Sequence, residues 1–194
     1  MSSRSWLRLC LSGVLATTGT AQAVAQVGRL SNAQVISLAA AKTGRLSVAV
    51  TSGATQTLPS FLDNAANTFP SPVVIQTQWD LNPGQTGSVR VIAWFATPAQ
   101  ALYNSASATA IPSSRMRGRV ATGVPTTFTP FTQNPVGGIG AAGGSLQLLN
   151  VNVTGVNKTT TRSDNLQLQL DLTGAPVVPP GTYAGTLNIQ AVTQ

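Results

Sequence analysis

The chain predicts an all-β fold: one antiparallel β-sandwich of about nine strands, with a closed barrel as the alternative. Three observations carry that prediction. Short runs alternate apolar and polar residues on a period of two, 18 Gly and 12 Pro punctuate them, and a helix-start signal occurs at one place only. The clearest run closes the chain. Val177-Val178-Pro179-Pro180-Gly181 is a rigid turn that feeds Thr182–Val192, in which Tyr183, Gly185, Leu187, Ile189 and Ala191 face one way.

The N-terminus reads as a processing segment. Arg4 and Arg8 supply a positive region, Leu9 to Ala16 a short apolar one, and Ala21-Gln22-Ala23 or Ala23-Val24-Ala25 a small-residue cleavage site. Cleavage after Ala25 makes residues 1–25 a signal peptide and residues 26–194 a single domain. The apolar run is too short to span a bilayer. Arg8 stands where a lipoprotein site around Cys10 wants a small residue.

Strands then follow in order. Gln34 to Ala40 places Ile36, Leu38 and Ala40 on one face, and after a turn at Ala41-Lys42-Thr43-Gly44 the second strand carries Leu46, Val48 and Val50. Thr51 to Ser71 reads as irregular, pinned to the core by Leu58, Phe61, Leu62 and Phe69. Pro72 to Leu81 sets Val73, Ile75, Thr77 and Trp79 on one face, and Asn82-Pro83-Gly84-Gln85 turns the chain. Ser88 to Ala96 is apolar on both faces, with Val89, Val91, Ala93 and Phe95 against Arg90, Ile92 and Trp94. Such a strand belongs in the middle of a sheet, partly covered on its second side.

Thr97-Pro98-Ala99-Gln100 is the helix start, expected to run one or two turns to about Tyr103. Ser113 to Val120 and Val124 to Phe131 read as a hairpin around Ala121-Thr122-Gly123, and Gly137 to Gly144 as a flexible connector. In Leu146–Val153 the apolar phase slips between Leu148 and Leu149. A slip would turn every later side chain over unless a β-bulge absorbs it, so a bulge is expected there. Leu166 to Leu172 alternates without fault. These last two runs are the expected partners of the closing strand.

Composition narrows function. Without the signal peptide, loss of Arg4 and Arg8 takes the 11 basic residues to nine, against 4 Asp and no Glu, a net charge of about +5. There is no His, and the only cysteine leaves with the signal, so the common general bases, thiol nucleophiles and zinc ligands are missing. The chain is expected not to be an enzyme and to hold no cofactor. An aspartate-based hydrolase would require Asp63, Asp80 and Asp164 to meet in one cleft. Asp171 is expected to point outward from its strand.

Gly138-Ile139-Gly140-Ala141-Ala142-Gly143 matches G-x-G-x-x-G, but Asn134-Pro135 precedes it and a strand follows. The phosphate chemistry of that pattern needs a strand before and a helix after, so the stretch reads as a loop. Asp80-Leu81-Asn82-Pro83-Gly84 lacks the later ligands of a calcium loop and reads as a turn. Asn152-Val153-Thr154 and Asn157-Lys158-Thr159 fit the glycosylation triplet, which arises by chance in a Thr- and Asn-rich chain. Arg115, Arg117 and Arg119 form the densest charge. On one strand they share a face about 6 to 7 Å apart, which reads either as a solvated edge or as a contact for an anionic glycan, phosphate or acidic partner. Nucleic acid is not expected as a partner, since exposed aromatics for stacking are scarce.

Pro180-Gly181-Thr182-Tyr183-Ala184-Gly185-Thr186-Leu187 resembles the closing strand of pilin-like bacterial β-sandwiches of the spore coat protein U and archaic chaperone–usher type. The wider pattern, with Trp79-Asp80-Leu81-Asn82-Pro83-Gly84, Ile111-Pro112-Ser113-Ser114 and the last three strands, resembles uncharacterised secreted proteins of environmental bacteria. The first resemblance implies an immunoglobulin-like sandwich and assembly by strand exchange between copies, with Gln26 to Val35 as the candidate donor. Two departures stand out: the disulfide common in such pilins is absent, and Val27, Leu30 and Val35 do not alternate regularly. The expected function is a secreted, cell-surface structural protein, a pilus- or coat-like subunit that self-assembles or joins another surface protein. The alternative is an extracellular binding module for glycan or another anionic ligand.

Overall fold

A computed structural model describes residues 45–81 and 87–194. The signal peptide expected at 1–25, the strand expected at 34–40 with its turn at 41–44, the candidate donor segment 26–35 and the turn expected at 82–85 lie outside the described residues.

Eleven antiparallel strands form the described fold, and no helix reaches seven residues. The larger sheet runs β1 (Arg45–Ser52), β3 (Val73–Asp80), β10 (Thr159–Asp171), β7 (Met116–Val120) and β8 (Thr129–Pro130), with β2 (Ala66–Thr68) also on β10. The smaller sheet is β11 (Leu187–Thr193), β4 (Gly87–Phe95) and β9 (Ser145–Val153), and β5 (Leu102–Asn104) with β6 (Thr109–Ile111) makes a separate ribbon. One core draws on both sheets: Leu46, Val48, Ile75, Trp79, Leu166 and Leu170 from the larger, Val89, Val91, Phe95, Leu146 and Ile189 from the smaller. The fold is an all-β sandwich.

The period-two reading holds along β3, where Val73, Ile75, Thr77 and Trp79 are all buried and the residues between them are not. β4 is the centre of its sheet, flanked by β11 and β9. Its second face is covered too: Ile92 packs with Val192 and Ile139, beside Trp94 and Val136. The bulge falls where the phase slips. Val91 faces Leu149 and Ile92 faces Gln147, so Leu148 is the extra residue, and Leu146, Leu148 and Leu149 are all buried.

Several elements differ from the sequence reading. The helix at Thr97 is one 3-10 turn, Pro98–Gln100, without a side-chain cap. It stops because Tyr103 finds ladder partners instead, Ala110 in β6 and Ala184 in an isolated bridge. Ser113–Arg115 is likewise a 3-10 turn, so the strand is only Met116–Val120, of which Arg117 and Gly118 pair with β8. The glycine-rich connector contains a tight hairpin: Gly137 and Gly138 at positive φ (61° and 78°) join Val136 to Ile139, which is buried. β10 begins at Thr159, seven residues before the apolar run. Leu62, expected in the core, is 72% exposed.

The closing strand differs most. Regular pairing starts at Leu187, and its partner is β4, not β9 or β10. β10 is already occupied by β3 and β7, whereas β4, apolar on both faces, needs a second neighbour. Residues 182–186 are held apart by the ribbon. A side chain at Gly185 would collide with the Ala101 carbonyl, so glycine lets the two backbones touch.

Candidate functional site

Among the described residues a cleft of about 1620 Å³ opens at one end of the sandwich. It lies where β1 ends, β11 begins and β10 reaches Leu170, and core residues Phe69, Val73, Phe95, Leu170 and Ile189 reach its floor. Two long loops wall it, residues 53–63 and 177–186.

Both walls are locally braced. Asn67 ties its loop by accepting from the Leu62 N–H at 2.8 Å and donating to the Leu62 carbonyl at 2.9 Å. The Asn64 carboxamide accepts from Gly174 N–H at 2.8 Å, and Asp63 Oδ1 accepts from Val178 N–H at 3.1 Å. Across the gap, the rings of Phe61 and Tyr183 meet edge to face at 5.9 Å. Tyr183 packs on the core, and its hydroxyl donates to the Pro179 carbonyl at 2.9 Å. The prolines stiffen the second wall, since each fixes its φ.

The cleft is nearly uncharged. Among the described residues Asp63 is the one carboxylate lining it and no cation lines it; the remaining polar lining is amide and hydroxyl, as at Gln56, Thr57, Ser60 and Asn188. Val177, which lines the cleft, is 78% exposed, and Leu62, between the lining residues Phe61 and Asp63 in sequence, is 72% exposed. Neighbouring exposed apolar side chains beside an apolar-floored cleft mark an association surface better than a site for chemistry. At this same margin β1 and β11, the outer strands of their sheets, bring Cα atoms within 8 Å with no ladder between them among the described residues.

The four aspartates are dispersed. Asp63 is at the cleft. Asp80 accepts from the Thr159 hydroxyl at 2.8 Å. Asp164, buried on the inward row of β10, accepts from Arg162 Nε at 2.8 Å and from the Thr122 hydroxyl at 2.6 Å. Arg162 also donates to the Thr122 carbonyl, which pins the turn after β7 to β10, and its pKa is raised chiefly by the hydrogen bond to Asp164. Asp171 does lie on the outer row, but it is covered. Arg117 Nη2 is 2.6 Å from its Oδ2, and the Thr173 N–H donates to its Oδ1 at 3.0 Å. Hydrogen bonding by Thr173 holds the Asp171 carboxyl below its ordinary value, Arg117 and Arg115 add to this, and burial opposes it. No group of three or more His, Cys, Asp or Glu able to hold a metal ion occurs among the described residues.

The three arginines do not form one row. Arg117 and Arg119 share the outer face of β7 opposite Gln169 and Gln167, while Arg115 sits in the 3-10 turn before it. Each is engaged within the chain. Arg115 donates to the Thr173 carbonyl at 2.8 Å, and Arg117 pairs with Asp171. Arg119 donates to Gln167 Oε1 at 2.6 Å and lies 4.7 Å from the Phe128 ring centre. Arg119 stays the most open. The cleft was not legible as a unit, because its walls are more than a hundred residues apart; Leu58 and Phe61 in an otherwise polar stretch, and the Pro-Pro-Gly turn, were its only signals.

The chain matches no family model, no curated protein and no solved structure.

Proposed function

We propose that the protein is a secreted, non-enzymatic structural subunit that assembles at the cell surface, as a pilus- or coat-like protomer. One observation supports this above others: a cleft lined by a single charged side chain among the described residues, whose floor is the sandwich core and whose wall carries the exposed Val177. Apolar surface in that arrangement is stabilised when another protein covers it, roughly 25 cal/mol for each Å² removed from water. β1 and β11, outermost in their sheets among the described residues, add backbone donors and acceptors of the kind that pair with another chain. The engagement of each aspartate by a different partner favours this reading over hydrolysis. The anionic-ligand reading has less support, because Arg115, Arg117 and Arg119 already have partners inside the chain.

The test is extraction of surface material from the native host, followed by gel analysis with and without boiling. A ladder of this chain that resists detergent and collapses on heating is expected. A protein recovered only as a monomer, which also sediments as a monomer at every concentration, overturns the reading.

A further inference from the structure

The assembly reading leaves open which surfaces meet, and the pole opposite the cleft supplies a partner for it. The turn between β9 and β10, Thr154–Asn157, projects Val156, which is 96% exposed. Isolated exposed valines are ordinary, but this one is held on a braced support. The Thr154 N–H donates to Asn157 Oδ1 at 2.6 Å, and Asn157 Nδ2 donates to the Asn152 carbonyl at 2.9 Å. From below, the buried Trp79 donates its indole N–H to the Asn157 carbonyl at 2.8 Å, and the Leu81 N–H donates to the Lys158 carbonyl at 2.9 Å. A tip fixed in this way loses little conformational freedom on docking.

Knob and cleft sit at opposite ends of one strand. Val156 precedes the start of β10 and Leu170, at its end, lines the cleft. Thirteen residues at about 3.3 Å each put those ends roughly 40 Å apart. Their charges also match. Among the described residues Lys158, two residues beyond the knob, makes no ion pair, and Asp63 is the only charged side chain lining the cleft, with Oδ1 engaged by Val178.

We propose that copies of this chain associate head to tail, the Val156 tip of one entering the cleft of the next, with Lys158 of the first meeting Asp63 of the second. The contact is heterologous, so repetition builds a filament or a ring and not a closed two-fold pair. It rests on the assembly reading and names the surfaces that carry it.

The experiment is sedimentation velocity of the full chain over a concentration series, with variants at each pole. Val156→Asp places a charge on a fully exposed side chain, so folding, checked by circular dichroism and melting temperature, is unchanged while association weakens at least tenfold. Asp63→Lys weakens association from the other pole, and Asp63→Lys combined with Lys158→Asp recovers part of it. A mixture of Val156→Asp and Asp63→Lys chains forms dimers, because one sound knob and one sound cleft remain between them. If the parent associates and Val156→Asp associates equally well, the head-to-tail contact is overturned and the assembly reading stands. A parent that is monomeric throughout overturns both.

Discussion

The two ends of the sandwich are built from the same strands and closed in opposite ways. At the hairpin end, the inward row of β10 is polar: Thr160, Arg162 and Asp164 face Trp79, Thr77 and Ile75 of β3. From Leu166 onward the same row is apolar and runs to the cleft. An ion pair and an indole hydrogen bond seal the first end, where Asp164 and Trp79 are buried with their polar atoms partnered. At the second end the core reaches the surface between two braced loops. A buried charge requires partners of fixed geometry, which admits no opening, whereas an apolar floor tolerates one until something covers it. Rigidity and availability are thus divided between the poles.

Trp79→Ala attacks the sealed end hardest. It removes a fully buried ring and the donor to Asn157, and is expected to cost about 3–5 kcal/mol by chemical denaturation while loosening the Thr154–Asn157 turn. Asp164→Ala leaves Arg162 and the Thr122 hydroxyl without their partner. A fully buried pair would cost more, but Arg162 is 29% exposed, so a loss of roughly 2 kcal/mol is expected from the same measurement. A cost for both substitutions no larger than that of a change at the open end would remove the distinction between the ends.

At the open end Phe61→Ala is expected to cost only about 1 kcal/mol, since the ring is half-buried and its main loss is the edge contact with Tyr183. Amide hydrogen exchange should then rise in residues 177–186 and leave β3 and β10 unchanged. The smallest effect is electrostatic, at the Asp171–Arg117 pair beside β10's end. Because Thr173 and the arginines lower the Asp171 pKa in the folded chain, its contribution is fully present above the unfolded value of about 3.9 and is lost as pH falls through the folded one. Asp171→Asn should therefore flatten the acid limb of a stability–pH curve below about pH 4. A variant curve parallel to the parent's would sink that assignment.

Comparison of particular elements shows how much was legible. β3, the inward faces of β4 and β10, and the Leu148 bulge follow from alternation and its one interruption, because side-chain direction in a strand is a local property. The same locality explains the misplaced partner of the closing strand, since alternation says which face is buried and nothing about which strand lies alongside. The 3-10 turn at Pro98 carries a good local start signal, ended by pairing at Tyr103 with Ala110 and Ala184. Of the candidate site residues, Arg115, Arg117 and Arg119 were visible as charge, but their partners Thr173, Asp171 and Gln167 lie some fifty residues away and could not be read from spacing.

The amino-acid order by itself determined the all-β class, the inward rows and the position of the bulge, all of which depend on neighbours one or two residues apart. Tertiary structure alone decided that Leu187–Thr193 lies on β4, that Asp164 is sealed by Arg162 and Thr122, and that residues 53–63 and 177–186 enclose a cleft. Those outcomes depend on which strand edges and core surfaces remain unfilled once the two sheets have closed on each other, a condition of the whole chain that no local pattern encodes.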